Sequence, residues 1–275
     1  MRHHDSHRLT RRSACAVLGA ALVAPARAQA RYPHKPITLV VPAAAGGGLD
    51  VSMRHIAKFL ADGFGVPVVA ENRPGVNLLI GTRYVASSPA DGYTLLAISN
   101  TFLGAPVFSD TPAGYDSFRD FMAVAPTAQA PNLLLVNAAS GINSVADLVA
   151  RARRSAPGSM TFGSAGVGSS PHVAAALFAR AIGADFTDVP YKGAAPAMVD
   201  LLGGRIHFLF DSVSSALPHI RSGALRALGA TTLRRSPLVP DVPSLAEALN
   251  QPDFDLPLFY GIAVPANTPA DAVRT

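Results

Sequence analysis

The sequence has no tryptophan, a single cysteine (Cys15) and few charged side chains, which make up 15% of its 275 residues. One cysteine cannot form an intramolecular disulfide framework. Apolar residues make up 49%, a composition typical of a folded globular chain and not of a disordered one. The length is sufficient for one large domain or for two smaller ones, each with its own core.

The first 28 residues are typical of a cleavable secretory signal. They begin with a basic segment, continue with an apolar run at residues 14–25 and end with the small-x-small sequence "ARA". The apolar run is much shorter than the roughly 20 residues that a transmembrane helix needs. We therefore predict a signal peptide at residues 1–28, cleavage before Gln29 and a periplasmic location. The pair Arg11-Arg12 leaves the general secretory and the twin-arginine routes both open.

This leader also holds most of the excess positive charge, with five arginines against one aspartate. Its removal lowers the formal net charge from +5 to about +1. A nearly neutral mature chain gives no electrostatic reason to expect nucleic acid as a partner. Cys15 leaves with the leader, which excludes thiol catalysis in the mature chain.

Strand-like apolar runs alternate with segments of helical periodicity along the rest of the chain. "ITLVVP", "VPVVAEN" and "TLLAIS" are predicted strands of a first series. "NLLLVN", "MTFGSAG", "FTDVPY", "IHFLFD" and "LRALGAT" belong to a second series. Mostly unbroken apolar strands separated by helices predict an α/β fold with mostly parallel sheets flanked by helices.

Two segments share the order strand, glycine-rich loop, helix: "AAAGGGLD" at residues 43–50 and "FGSAGVGSSPH" at residues 162–172. The first of these segments does not match the glycine patterns of nucleotide-binding loops, and the carboxylate of Asp50 would repel a phosphate. Free backbone N–H groups at a helix N-terminus, however, favour an anion. Two such loops in corresponding places predict two α/β units that face each other across an anion-binding cleft. In the second loop we expect Ser170 to cap the helix and Pro171 to occupy its first position.

Several segments, in matching order, resemble the Bug family of extracytoplasmic solute receptors, the substrate-binding proteins of tripartite tricarboxylate transporters. They are "YPHKPITLVVPAAAGGGLDVSMR", "ENRPG", "IGTRYVASSPADGYTLL", "YDSFRDF", "FGSAGVGSSPH", "VPYKGAAPAMVDLLGGRIHFLFD", "LPHIRSGALRALGATT" and "LVPDVPSLAE". The resemblance extends from about Tyr32 to Pro269 and covers nearly the whole mature chain.

The resemblance implies a two-lobed periplasmic binding protein of type II-like architecture, with the ligand in a cleft between the lobes. Residues 43–48, the first glycine loop, and residues 163–168, the second glycine loop, would hold a ligand carboxylate, partly through water. The implied ligand is a small organic acid, an amino acid or an aromatic carboxylate. Transporter subunits of the membrane, or alternatively a sensor protein of a signalling system, would be the protein partner. The resemblance implies a monomer with no catalytic residues, cofactor or metal.

We predict a first lobe from residues 32–128 and 243–275 and a second lobe from residues 129–242. Two strand-like crossings would join them, near Pro131 and near Pro240. Family members continue beyond "PANTPADAVRT", so the expected first lobe is incomplete at its C-terminus.

A second departure from the family lies after "ENRPG". The family usually continues with small residues and glycines, whereas this sequence has "VNLL" at residues 76–79. If this segment lines the cleft, the pocket is bulkier and more apolar than in the rest of the family.

The candidate ligand-binding residues lie in the two loops and at strand ends. They are Ala43, Ala44, Gly46, Gly47, Gly48, Asp50, Asn100, Thr101, Ser164, Ala165, Gly166, Ser169, His172 and Asp211.

Several of these side chains have a structural role as the alternative to ligand contact. Asp50 would orient its loop, bind a ligand amino group or cap the helix that it opens. Ser164 and Ser169 would donate hydroxyls to the ligand, and His172 would either reach the cleft or pack structurally.

Asp211, Asn100 and Thr101 follow strands at the sheet edge where ligands bind in open α/β sheets, with helix capping as the alternative. The loop at residues 191–193 is either a rim of the cleft or plain surface.

An enzyme is the remaining alternative. A nucleophile elbow and metal-ligand spacings are absent from the sequence. A hydrolytic site built from Ser164, His172 and Asp211 requires that these three side chains lie close together.

Overall fold

The computed structural model describes residues 31–108 and 112–275; the predicted signal peptide, with Cys15, lies outside the described residues. The strands are β1 Ile37–Val41, β2 Val68–Asn72, β3 Thr94–Ser99, β4 Phe121–Asn137, β5 Thr161–Ser164, β6 Thr187–Pro190, β7 Phe208–Ser212, β8 Leu225–Ala230 and β9 Pro257–Pro265. The helices are α1 Gly48–Phe64, α2 Leu79–Ala86, α3 Asn100–Phe108, α4 Val145–Arg154, α5 Ser170–Ile182, α6 Ala194–Leu202, α7 Val213–Arg221, α8 Leu245–Leu249 and α9 Ala270–Arg274.

The long strand β4 belongs to two sheets and joins them. Up to Pro131 it pairs with β9, in a first sheet of order β2-β1-β3-β9-β4. From Asn132 it pairs with β7 and β8, in a second sheet of order β8-β4-β7-β5-β6. In each sheet four strands run in one direction and one is reversed, β9 in the first and β4 in the second. The predicted two-lobed α/β fold with mostly parallel sheets is confirmed.

Each sheet has its own core on both faces, because successive side chains of a strand point to opposite sides. In β1, Leu39 packs into one apolar cluster and Val40 into another. In β4, Leu133 and Leu134 are divided in the same way between two further clusters. Helices cover both faces of each sheet, which is why the strands are nearly continuous apolar runs.

The chain returns from the second sheet to the first at Pro257, which pairs with Pro131 of β4. The crossing expected near Pro240, with a boundary at residue 243, is wrong. Helix α8 packs on the second lobe, because the fully buried Leu245 joins the cluster that contains Leu228 and Phe254. The short periodic run "LAEAL" therefore belongs to the second lobe.

Several elements were missing from the sequence prediction, among them the first half of β4, strand β9 and the helices α3 and α7. The first half of β4, residues 121–131, is alanine-rich and largely exposed, so it lacks the apolar signal of a buried strand. Its pairing partner β9 lies more than a hundred residues further along the chain. Helix α7 follows directly on β7 and was likewise not predicted.

Among the described residues, no helix combines the length and the apolar character that a membrane crossing requires.

Candidate ligand-binding cleft

The first glycine loop connects β1 to α1 and is held by the side chain of Asp50. One carboxylate oxygen of Asp50 accepts hydrogen bonds from the backbone N–H of Gly46 (2.9 Å) and from Nε of Arg54 (3.0 Å). The other accepts from Nδ2 of Asn72 (2.8 Å), which also donates to the carbonyl oxygen of Ala43 (3.0 Å). Gly46 has a positive φ of 82°, which favours glycine at this bend.

Asp50 is 2% exposed, and burial by itself raises the pKa of its carboxyl group. The hydrogen bonds from Arg54, Gly46 and Asn72 outweigh burial and hold this pKa below its usual value. Of the roles expected for Asp50, the structure supports orientation of the loop. Helix capping is not observed, because the N-cap position of α1 is Gly47 and has no side-chain cap.

The first glycine loop lies against two helix N-termini of the second lobe. A Cβ atom on Gly48 would lie 1.9 Å from Oγ of Ser212, the N-cap residue of α7. A Cβ atom on Gly47 would lie 3.9 Å from Cβ of Ala194, the first residue of α6. The absence of a side chain at Gly48 is therefore what allows the two lobes to approach here.

The N-terminus of α6 differs from those of its neighbours. Serine side chains cap the other four described helices of the second lobe, at Ser144, Ser169, Ser212 and Ser244. The N-cap residue of α6 is Gly193, which provides no side-chain cap. A Cβ atom on Gly193 would lie 3.2 Å from Cβ of Ala44, so the loop at residues 191–193 lies beside the first glycine loop at the cleft. The missing cap leaves the first N–H groups of α6 available to an anion.

The second glycine loop connects β5 to α5 and is held by hydroxyl groups. Oγ of Ser164 accepts from the N–H of Gly166 (3.0 Å), and Oγ of Ser169 accepts from the N–H of His172 (3.4 Å). Nδ1 of His172 accepts in turn from the N–H of Gly168 (3.4 Å). Each of these candidate ligand contacts thus stabilises its own loop.

The predicted cap of α5 is shifted by one residue. Ser169 is the N-cap and Ser170 the first helical residue, because the hydroxyl of Ser169 is the one that reaches the N–H of His172. The backbone N–H of Ser170 instead donates to Oγ1 of Thr101 in the first lobe (3.2 Å), and its hydroxyl accepts from Nδ2 of Asn132 (2.7 Å). Thr101 therefore joins the start of α3 to the start of α5.

The second glycine loop also contacts the first lobe at α3 and at the "VNLL" segment. A Cβ atom on Gly104 would lie 2.7 Å from the carbonyl oxygen of Gly168. Nδ2 of Asn77 donates to the carbonyl oxygen of Val167 (2.6 Å). The amide group of Asn100 is bonded within the first lobe: its Nδ2 donates to the carbonyl oxygen of Pro257 (3.1 Å) and its Oδ1 accepts from the N–H of Phe259 (2.9 Å).

Asp211 lies at the end of β7, close to the point where the two sheets join. Its carboxylate accepts from the N–H of Ser212 (2.7 Å) and from the hydroxyl of Ser215 (2.8 Å). No cationic side chain among the described residues forms an ion pair with it. Burial raises its pKa to about 6, although the two hydrogen bonds act in the opposite direction. Asp211 is thus hydrogen-bonded to Ser212, whose hydroxyl group lies beside Gly48.

The three residues of the hydrolase alternative have separate partners. Ser164 bonds to Gly166, His172 to Gly168 and Ser169, and Asp211 to Ser212 and Ser215, and none of the recorded hydrogen bonds of the described residues joins any two of the three. The arrangement gives no support to a hydrolytic triad.

Sequence reasoning did not name Asn72 as a contributor to the cleft, and it named Asn77 and Gly193 only as parts of segments, residues 76–79 and 191–193, that could line the cleft. Asn72 and Ser212 both end strands beside the candidate loops, and a polar residue at a strand end is a sequence signal for a ligand-binding site. Asn77 and Gly193 contact the opposite lobe, and nothing in their local sequence indicates that contact.

Two α/β lobes joined by crossing strands, with paired glycine loops and helix N-termini between them, define a solute-binding protein. Residues 52–275 match the model of the tripartite tricarboxylate transporter family receptor, TctC, and the chain belongs to this family.

Solved structures of other proteins support this family assignment. The chain is similar to Rpa4515 of R. palustris with adipate (35% identity, 88% of this chain and 81% of the other, TM-score 0.85). It is similar to the periplasmic binding protein BugD (31% identity, 88% and 80%, TM-score 0.83). It is also similar to MatC from Rhodopseudomonas palustris with bound malate (30% identity, 88% and 82%, TM-score 0.81).

Proposed function

We propose that this protein is a periplasmic receptor that holds a small carboxylate between its two glycine loops and delivers it to a tripartite tricarboxylate-type membrane transporter. One observation carries the proposal. Helices α1 and α6, from different lobes, begin without side-chain caps, and their starts lie side by side, at the N-cap residue Gly47 and at the first helical residue Ala194. Two uncapped helix N-termini that converge on one place form an environment that favours a negative charge.

The chemistry of the loops favours recognition by backbone groups. Neither the first nor the second glycine loop contains arginine or lysine. The nearest cation on the first loop's helix, Arg54, is already paired with Asp50 at 3.0 Å. A ligand carboxylate would therefore accept hydrogen bonds from backbone N–H groups, directly or through water, with the glycines allowing close approach.

The relatives support a carboxylate as the ligand class. Rpa4515 is described with adipate and MatC with malate, and both are similar to this chain over most of their length. Adipate and malate are both small dicarboxylates of different chain length and substitution. We propose a ligand of this class for the present protein.

The lobes are proposed to be residues 32–131 with 257–275, and residues 132–256. These limits follow the point at which β4 exchanges β9 for β7 and the point at which the chain enters β9. With two crossing strands as hinge, the lobes would rotate together around the ligand. Export through the signal peptide at residues 1–28 would place the receptor in the periplasm.

A thermal-shift screen of small carboxylic acids tests the proposal. A ligand that binds only the folded state stabilises it by about 2.7 kcal/mol at a concentration of 100 times Kd. We expect at least one dicarboxylate, amino acid or aromatic acid to raise the unfolding midpoint, with matched neutral amides as the control. If none of the acids raises it, the proposed function is wrong.

A further inference from the structure

The "VNLL" segment forms a left-handed turn of residues other than glycine. Val76, Asn77 and Leu78 have consecutive positive φ values of 45°, 53° and 70°. Such values are uncommon outside glycine and are least favourable for a β-branched residue such as valine. Neighbouring structure must hold a turn of this kind in place.

The turn carries the side chain of Asn77 across the cleft to the second glycine loop. Its Nδ2 atom donates to the carbonyl oxygen of Val167 at 2.6 Å. A Cβ atom on Gly166 would lie 3.6 Å from Cβ and Cγ of Asn77, so the amide group lies directly beside the loop. The bond to Val167 also fixes the orientation of the amide, because only the NH2 group can donate to a carbonyl oxygen.

The other half of the amide has no partner. Oδ1 of Asn77 is buried and accepts no hydrogen bond from any of the described residues. It lies 3.8 Å from the position of a Cβ atom on Gly166, the residue whose N–H closes the second loop on Ser164. A buried carbonyl oxygen without a donor is costly, so this atom is a ready acceptor for a donor that enters the cleft.

We infer that Asn77 is a specificity-determining residue, whose Oδ1 atom accepts a hydrogen bond from an O–H or N–H group on the ligand close to its carboxylate. The inference rests on the proposed function, because it takes the second glycine loop to hold that carboxylate. It assigns a ligand class: hydroxy- or amino-substituted carboxylates are preferred over the unsubstituted acids.

A hydroxyl group and an ammonium group can both donate this hydrogen bond, and a set of related ligands distinguishes between them. Titration calorimetry on the purified protein would use succinate, malate and aspartate, and then adipate, 2-hydroxyadipate and 2-aminoadipate. The first member of each set has no donor, the second has a hydroxyl group and the third an ammonium group. We expect the hydroxy or the amino acid of one set to bind about tenfold more tightly than its parent.

The variant Asn77→Gly removes the amide and suits the left-handed backbone, so the fold is retained. Asn250→Gly is the matched control, because Asn250 also has a φ of 53° but is an exposed residue that ends α8 in the second lobe. In Asn77→Gly we expect the ratio of affinities between substituted and parent acid to fall to about one. In Asn250→Gly it stays at the wild-type value.

The outcomes separate the inference from the proposed function. An unchanged ratio in Asn77→Gly, or an equal loss of affinity for all acids, would show that Asn77 only joins the lobes and would overturn the inference. A wild-type protein that binds the acids without preference overturns the inference and leaves the proposed function intact. A wild-type protein that binds none of the six overturns the inference, and the wider thermal-shift screen then decides whether the proposed function is wrong as well.

Discussion

The two glycine loops have the same order of strand, loop and helix, yet different groups hold them. The first depends on a buried carboxylate, Asp50, which bonds to Gly46, Arg54 and Asn72. The second depends on the neutral hydroxyl of Ser164 and on its capping residue Ser169. Similar loop geometry is thus reached once with a carboxylate and once with hydroxyl groups and a ring nitrogen of His172.

A second contrast concerns the two buried aspartates at the cleft. Hydrogen bonds hold the pKa of Asp50 below its usual value, whereas burial without a cation raises the pKa of Asp211 to about 6. The first therefore stabilises the protein when ionised, and the second destabilises it when ionised.

The largest effect is expected from bulky side chains in the loops. Gly47→Leu would place a side chain against the N-terminus of α6, and Ala165→Leu would add a bulky side chain within the second glycine loop. Hydrogen bonds to a charged group contribute about 1.5–3 kcal/mol each, so each variant should lose roughly tenfold to 150-fold in affinity for a carboxylate found in the screen. Titration calorimetry measures this loss, with Ala156→Leu at an exposed loop of the second lobe as the control. Undiminished affinity in both loop variants would show that the loops do not hold the ligand.

The next effect concerns Asp211→Asn and the pH dependence of stability. The pKa of Asp211 is about 6 in the folded protein, against its ordinary value of 3.8. The stabilisation that protonated Asp211 gives the folded protein is fully present below pH 3.8, and it is lost as the pH rises through about 6. At pH 7 the ionised carboxylate should lower the free energy of unfolding by about 3 kcal/mol, and the asparagine variant should not show this loss. Urea unfolding of both proteins from pH 4 to pH 7.5 measures the difference, which should grow with pH; a constant difference would contradict this account.

A methyl group at Gly48 should have a smaller effect. In Gly48→Ala the added Cβ atom would lie 1.9 Å from Oγ of Ser212 and 2.7 Å from the hydroxyl of Tyr260. Overpacking of this kind typically costs about 1–3 kcal/mol, which urea unfolding would show as a lower midpoint. The matched control is Gly47→Ala, whose Cβ atom would make only an ordinary contact at 3.4 Å. Equal stability of the two variants would mean that the lobes do not meet at Gly48.

The smallest effect is expected for Asp50→Asn. The carboxylate of Asp50 stabilises the protein above pH 3.8, and this stabilisation is lost as the pH falls through the lowered pKa of the folded state. Because Arg54 is half exposed, loss of the negative charge of Asp50 should lower the free energy of unfolding by only about 1 kcal/mol at pH 7. The difference between variant and wild type should shrink with acid, which is the reverse of the trend for Asp211→Asn. The same trend for both aspartates would remove the contrast between them.

Much of this architecture could be predicted from local sequence. Apolar runs gave most of the strands, and the glycine runs gave both loops with their following helices. The first half of β4 could not be predicted, because residues 121–131 are stabilised by pairing with a distant strand and not by burial.

Site details were harder to predict because they depend on distant partners. The role of Asp50 depends on Asn72, which lies 22 residues away in sequence. The position of Asn77 depends on a left-handed turn that Val76 and Leu78 disfavour. Local propensity indicates which segments form the cleft, but the contacts across the cleft decide what each side chain does there.

The crystal structure of the protein with a dicarboxylate from the screen tests the central claim most directly. The account predicts that one carboxylate group lies between the lobes, with its oxygens within about 3 Å of backbone N–H groups, or of waters bound to them, from both glycine loops. A ligand carboxylate bound by arginine or lysine side chains, or placed outside the space between residues 43–48 and 163–168, would contradict it.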